Sequence, residues 1–310
     1  MFSVIFPGQG SQSVGMSKEL YENFPYVKEL FKLADETLGY SISKIILEGP
    51  KEELDLTENT QPAIFLVSYS IFEMVKRESD MSLEKAKYFA GHSLGEYSAL
   101  AASGSLEFQN ALKLLNERGK AMQSAVPKGE GGMLAVLGTE IKDISILLEE
   151  NKNNYNCYIA NDNSTGQIVL SGLNSELEKI INDLNKKNIK NIKLSVSAPF
   201  HCKLMEKATH VMKDKILGTK FEKPKNTIVS NVTGSETCEM DEIKKLLVRQ
   251  IESPVRWRES VIYMIKNGVT NFIEIGPGKV LSGLVKRIDK TINVNTINKI
   301  EDLKNIKLND

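Results

Sequence analysis

The sequence predicts an α/β protein in which a mostly parallel sheet flanked by helices is interrupted by a smaller unit with its own sheet. Three observations predict it. Strand-like and helix-like stretches alternate through the first part of the chain. The run Gly91-His92-Ser93-Leu94-Gly95 falls at a strand-to-helix junction. From about Pro127 the texture changes to the order βαββαβ.

Taken in order, Ser3 to Phe6 reads as a strand that Pro7-Gly8 interrupts. The apolar start has no basic n-region and no cleavage site, so it reads as a first strand rather than a signal peptide. Gly8-Gln9-Gly10-Ser11-Gln12 is a polar glycine loop, and amphipathic helical stretches run through Ile71, Phe72 and Met74. Lys87 to Ala90 is a short strand; Glu96 to Ala102 tolerates a helix, and a further helix runs from Leu106 to about Ala125. Gly131 to Gly138 is a strand, Ile141 to Asn151 a helix with Ile144, Leu147 and Leu148 on one side. Strands Tyr155 to Ala160 and Gln167 to Ser171 are joined by the turn-rich Asn161 to Gly166; helix Glu176 to Lys187 and strand Ile189 to Val196 follow. That order is a ferredoxin-like unit, inserted over 128–196, with 1–127 and 197–310 forming the main domain. The main domain resumes with strands near Thr227 to Val232 and Asn271 to Ile275, and the Lys- and Asn-rich tail after about Asn293 is expected to be peripheral. In such a sheet the loops leaving the carboxyl ends of the strands are the default location of a site.

Composition narrows the function. Of 310 residues, 41% are hydrophobic and 26% charged, and 40 basic residues balance 40 acidic ones, which argues against a nucleic-acid binder. No apolar run approaches the ~20 residues of a membrane helix. Cys157, Cys202 and Cys238 are widely spaced with no C-x-x-C, which suits a reducing, cytoplasmic compartment and makes a metal site unexpected.

A G-x-S-x-G between a strand and a helix is a nucleophile elbow. Its glycines permit a sharp turn, Ser93 projects at the top of the sheet, and the new helix aims backbone N–H groups at an oxyanion. The bland alternative is a glycine-rich turn. A serine hydroxyl needs a base, and the chain has three histidines. His92 sits beside the nucleophile facing away from it, which favours a structural or oxyanion-supporting role. His210 lies mid-helix among charged residues and reads as solvated. His201 follows the break Ser197-Ala198-Pro199-Phe200 at a domain junction and is the base by elimination. No acidic third member stands out, which leaves a backbone carbonyl to orient the histidine. Arg118 falls on the apolar face formed by Phe108, Ala111, Leu112, Leu115, Gly119 and Met122. It reads either as an internal ion-pair partner or snorkelling side chain, or as a clamp gripping a substrate carboxylate in a bidentate fork. The loop at Gly8-Gln9-Gly10 matches no phosphate-binding pattern; after the first strand it can set a backbone N–H opposite the elbow. Gly276-Pro277-Gly278 reads as a structural turn.

Together these pieces resemble the malonyl-CoA:acyl carrier protein transacylase family of bacterial-type fatty-acid synthesis over nearly the whole chain. The resemblance rests on Phe6 to Gln12, Thr60-Gln61-Pro62-Ala63, Gly91 to Tyr97, Arg118-Gly119-Lys120, Ser195 to His201, Val248-Arg249-Gln250 and Glu274 to Gly278, in order and spacing. It implies an α/β-hydrolase-like core plus the ferredoxin-like insertion. It implies Ser93 as nucleophile, His201 as general base, the Gln9 and Leu94 N–H groups as oxyanion hole, and Arg118 holding the malonyl carboxylate. Gln250 is expected to orient His201 through its main-chain carbonyl, and Phe200 to bear on acyl specificity. The implied reaction is ping-pong: malonyl-CoA acylates Ser93, and the phosphopantetheine thiol of acyl carrier protein takes the acyl group. The expected partners are malonyl-CoA and acyl carrier protein, with no cofactor, metal, nucleic acid, membrane or second subunit. Asn161 to Gly166 and the tail match loosely, so no site residue is carried onto them. Lys186, Lys187, Lys190 and Lys193, with Lys286-Arg287, are either a solvated face or a steering patch for an acidic carrier protein. A serine thioesterase or esterase shares the elbow and histidine, but gives Arg118 no purpose and normally carries an acidic triad member. A catalytically silent carrier-binding module has no need of Ser93 and His201.

Overall fold

The structure is a computed structural model that describes residues 1–196 and 198–305. Its main sheet has strands β1 (Phe2–Phe6), β2 (Tyr88–Gly91), β7 (Thr227–Val229), β8 (Glu236–Thr237), β9 (Asn271–Ile275) and β10 (Asn293–Ile297), in the order β10-β9-β1-β2-β7-β8. Every pairing is parallel except β7 with β8. The central strands are apolar at successive positions because helices cover both faces. Val4, Phe6, Phe89, Ile228, Ile273 and Ile275 face one core with helices Thr57–Glu78 and Phe108–Ser124. Ile5, Tyr88, Ala90, Val229 and Phe272 face the other, with Trp257, Val261 and Met264 of helix Trp257–Lys266 and Leu281, Leu284 and Val285 of helix Val280–Ile288. This period of two is the strand's own geometry expressed as two half-cores.

The second sheet, antiparallel throughout, contains β3 (Gly131–Leu137), β4 (Cys157–Ser164), β5 (Gln167–Leu173) and β6 (Lys190–Lys193), in the order β4-β5-β3-β6. Leu134, Val136, Ile168 and Leu170 pack on one face against Ile144 and Leu147 of helix Ile141–Glu150 and Leu177, Ile180 and Leu184 of helix Asn174–Lys186. Met133 and Val169 look the other way, toward the main core.

Three expectations are corrected. The Asn161 to Gly166 stretch is not a turn up to its last residues: β4 continues through Ser164, with its register shifting twice against β5. Its polar side chains from Asn161 to Ser164 are buried, Asp162 pairs with Arg258 at 2.8 Å, and the backbones of Ala160, Asp162 and Val255 bond. Turn-like composition here reflects polar partners brought in from the 255–258 segment. The tail does not lie outside the sheet; β10 pairs in parallel with β9 and buries Ile297, its Asn and Thr residues suiting a half-exposed edge. The last strand of the small sheet, expected to reach Val196, ends at Lys193, and Leu194 to Val196 turn toward a cavity. Ser197, in the break before His201, lies outside the described residues. Among the described residues no helix is long and apolar enough to cross a membrane, and Cys157, Cys202 and Cys238 are free thiols.

Candidate active site

The carboxyl ends of β1 and β2 and the inner face of the small sheet enclose a cavity of about 350 Å³. Gln9, Leu94, Ser93, His92, Arg118, Phe200 and His201 all line it. Ser93 sits between β2 and helix Gly95–Ala102 at φ 52°, the left-handed region that a serine enters only under constraint. The constraint is visible in its backbone bonds: its N–H donates to Asn231 Oδ1 at 2.7 Å, and its carbonyl accepts from Gln250 Nε2 at 3.1 Å. The flanking glycines are required by close approach. A Cβ on Gly91 would lie 2.0 Å from the Gly95 carbonyl, and one on Gly95 would lie 2.3 Å from the Phe6 carbonyl oxygen.

His201, also at positive φ (58°), places Nε2 2.8 Å from Ser93 Oγ. Its Nδ1 lies 2.9 Å from the Gln250 main-chain oxygen. A carbonyl can only accept, so Nδ1 carries the proton and Nε2 keeps a lone pair for the serine hydroxyl. Burial, then the positive charge of Arg118, pushes the imidazole down to about 3, so it is neutral near pH 7.

Arg118 is 1% exposed. Nη1 donates to Gln61 Oε1 at 2.7 Å, and Nη2 to Gln250 Oε1 at 2.9 Å and to Ser93 Oγ at 3.1 Å. Its Nε is buried without a partner. Among the described residues no carboxylate lies within ion-pair distance, so the internal ion pair the sequence left open is not what the fold builds. A buried guanidinium held by neutral oxygens carries unspent positive charge into the cavity.

His92 turns to the small sheet, with Nε2 2.8 Å from Asn163 Oδ1 and its ring 5.8 Å from that of Trp257. Burial lowers its basicity. A Cβ on Gly8 would lie 2.6 Å from the His92 carbonyl oxygen, so the first-strand loop packs directly on the elbow and presents Gln9 across from Leu94. His210 is exposed on helix Glu206–Gly218, away from this cluster. The Gly276-Pro277-Gly278 turn starts the Val280–Ile288 helix, whose Leu281 and Ser282 N–H groups donate to the Glu274 carboxylate.

Several site members escaped notice as individuals. Asn231 and Glu96 hold the elbow, Gln61 holds Arg118, and Asn163 holds His92. Glu96 and Gln61 lie inside the motifs that carry the family resemblance, and Asn231 follows β7 at a carboxyl end, where the loops of such a sheet build sites. The surface lysines are partly committed: Lys186 pairs with Asp183, Lys193 with Glu178, and Arg287 bonds Gln167. Besides Arg118, the cavity wall carries Lys51, which is ion-paired with Asp55.

A family model described as an acyl transferase domain matches residues 3–304. The malonyl CoA-acyl carrier protein transacylase of Bacillus subtilis is 44% identical over 303 residues, covering 96% of this chain and 94% of that protein. The Escherichia coli K12 protein of the same description is 38% identical over 298 residues, with 96% of each covered. Among solved structures, the acyl-carrier-protein-S-malonyltransferase of Bartonella henselae superposes with a TM-score of 0.95 at 40% identity, covering 98% of this chain and 97% of that one. A malonyl-transacylase in complex with its type II PKS acyl-carrier protein superposes with a TM-score of 0.93 at 37% identity, covering 98% and 97%.

Proposed function

We propose a reaction course from one premise: this chain belongs to the acyl transferase family, among the malonyl CoA-acyl carrier protein transacylases. It moves a malonyl group from malonyl-CoA to the phosphopantetheine thiol of acyl carrier protein, supplying fatty-acid elongation. Ser93 is the nucleophile. His201 Nε2 takes the hydroxyl proton as Oγ attacks the thioester carbonyl, and the Gln9 and Leu94 N–H groups receive the oxyanion. Collapse expels CoA as its thiol, reprotonated by His201, and leaves a malonyl ester on Ser93. In the second half His201 deprotonates the carrier thiol, the thiolate attacks the ester, and the His201 imidazolium returns the proton to the departing Ser93 oxygen. Gln250 orients His201 through its carbonyl, and Phe200 walls the acyl pocket. No acidic side chain takes the orienting place that a serine hydrolase gives it.

The observation that carries this reading is Arg118, a buried guanidinium with no carboxylate partner among the described residues, 3.1 Å from Ser93 Oγ. Malonyl is the acyl group that brings an anion of its own to that place. The main sheet is read as an α/β-hydrolase-like core over 1–127 and 197–310, with 128–196 as its ferredoxin-like insertion, supported by the order β4-β5-β3-β6. Free thiols support a cytoplasmic setting. The test is intact-protein mass spectrometry after incubation with malonyl-CoA. Wild type should carry one malonyl adduct that transfers on addition of holo carrier protein, and Ser93→Ala none. Free malonate released without carrier would mark a hydrolase.

A further inference from the structure

One buried ionisable group beside the reacting atoms has no part in that scheme. Glu96, 2% exposed, sits on the first turn of helix Gly95–Ala102. Its Oε2 accepts from the Gln250 side-chain amide at 2.7 Å and from the Asn231 N–H at 3.1 Å. The same amide presents its oxygen to Arg118 Nη2 at 2.9 Å. An amide has one accepting and one donating end, so a carboxylate at the donating end turns the oxygen toward the guanidinium. Arg118, Gln250 and Glu96 form one continuous line from cation to anion.

The groups facing Glu96 are few. Helix Phe108–Ser124 supplies Arg118, while His201, on the segment after β6, is linked to Glu96 only through Gln250, whose carbonyl it bonds. Helix Met240–Gln250 supplies Gln250, and the loop after β7 supplies Ser230 and Asn231, none of them ionisable in water. Tyr97 adjoins it on its own helix and interacts with the same guanidinium.

We propose that Glu96 and the substrate carboxylate are alternative counter-charges of Arg118, so that binding a malonyl thioester takes up a proton at Glu96. The proposal rests on Arg118 being the malonyl clamp. In the empty site Glu96, through Gln250, supplies the negative charge that Arg118 lacks at first hand. A docked malonyl carboxylate sets two anions about one cation in a water-poor site, where like charges disfavour joint ionisation. Burial already pushes the Glu96 carboxyl up to about 7. Protonation at Oε1 keeps the Gln250 and Asn231 bonds, both made to Oε2, and the Ser230 hydroxyl that also bonds the carboxylate can rotate to accept from the new O–H. The proton comes from solvent, and CoA release or carrier attack does not consume it.

Calorimetry on Ser93→Ala, which binds without acyl transfer, tests this. Malonyl-CoA is titrated in two buffers of different ionisation enthalpy, with CoA as control for its own phosphate. Malonyl-CoA should take up a proton fraction that CoA does not. Its affinity should weaken by up to about tenfold from mildly acidic to mildly alkaline pH, for a coupling of about one pK unit. In Ser93→Ala/Glu96→Gln, which keeps an oxygen for both donors, the uptake and the pH dependence should vanish. Malonyl-CoA binding tighter than CoA but without extra proton uptake overturns the proposal while leaving the clamp standing. Uptake that survives Glu96→Gln overturns it as well. Malonyl-CoA binding no tighter than CoA at any pH refutes the clamp, and the proposal with it. The uptake measured on Ser93→Ala alone decides the matter if the double variant does not fold.

Discussion

Replacing Arg118 with alanine should change which thioester the protein accepts, not merely slow it. With arginine in place, a malonyl carboxylate completes a buried ion pair, whereas acetyl closes the cavity over a guanidinium that has only neutral partners. Leaving one member of a buried pair unpartnered costs about 3–5 kcal/mol. The hydrogen bonds to Gln61, Gln250 and Ser93 already offset part of that cost, which puts the lower end in force. About 3 kcal/mol at about 1.4 kcal/mol per tenfold is a preference for malonyl on the order of a hundredfold. Arg118→Ala removes both clamp and penalty. It also removes the charge that helps depress His201, so the base strengthens. Malonyl transfer should fall by about that factor while acetyl transfer holds or rises. The assay is kcat/KM for malonyl-CoA and acetyl-CoA with holo carrier protein, on wild type and variant, with thermal melts to show that the variant is folded. A parallel loss for both thioesters would refute the clamp.

Four further outcomes follow from the same geometry. Because His201 is held at about 3, below its ordinary 6.5, acylation should show no acid limb near pH 6.5 in a rapid-quench pH profile. The same shift costs stability as pH falls from 6.5 toward 3, where the unfolded imidazole takes a proton that the folded one refuses, a trend visible in denaturant midpoints. Gly91→Ala should abolish adduct formation and lower the melting temperature, since its Cβ would lie 2.0 Å from the Gly95 carbonyl; wild-type acylation in a folded variant would contradict the elbow geometry. Arg258→Met strands Asp162, 3% exposed at its side chain, and should destabilise by ~2–4 kcal/mol in urea titration; adding Asp162→Asn should recover part of the loss, and additive losses would show that the pair is not coupled.

Much of the site was legible because the chemistry is carried by short, rule-bound patterns. Glycines at the elbow, few histidines to choose among, and an arginine on an apolar helix face each violate or satisfy a local rule that a linear reading can apply. The positions whose roles reside in long-range contacts were not legible in that way. Asn161 to Ser164 look like a turn because Asn, Asp and Ser favour turns; the stretch is strand because Arg258 takes the Asp162 carboxylate, His92 the Asn163 amide oxygen and Val255 the backbone. The tail looks peripheral because it is rich in Lys and Asn, yet an edge strand needs only backbone partners and β9 provides them.

The alternation that makes a parallel sheet, the βαββαβ order and the choice of Ser93, His201 and Arg118 as candidates could all be read along the chain, since periodicity and residue chemistry act locally. Which groups meet was left to the fold: among the described residues Arg118 has no carboxylate partner, Gln250 serves His201 with its backbone and Arg118 with its side chain, and Glu96 stands at the far end of that line. Those facts depend on side chains up to 154 positions apart meeting within hydrogen-bond distance, and the directional, distance-limited character of a hydrogen bond leaves no trace in spacing along the chain.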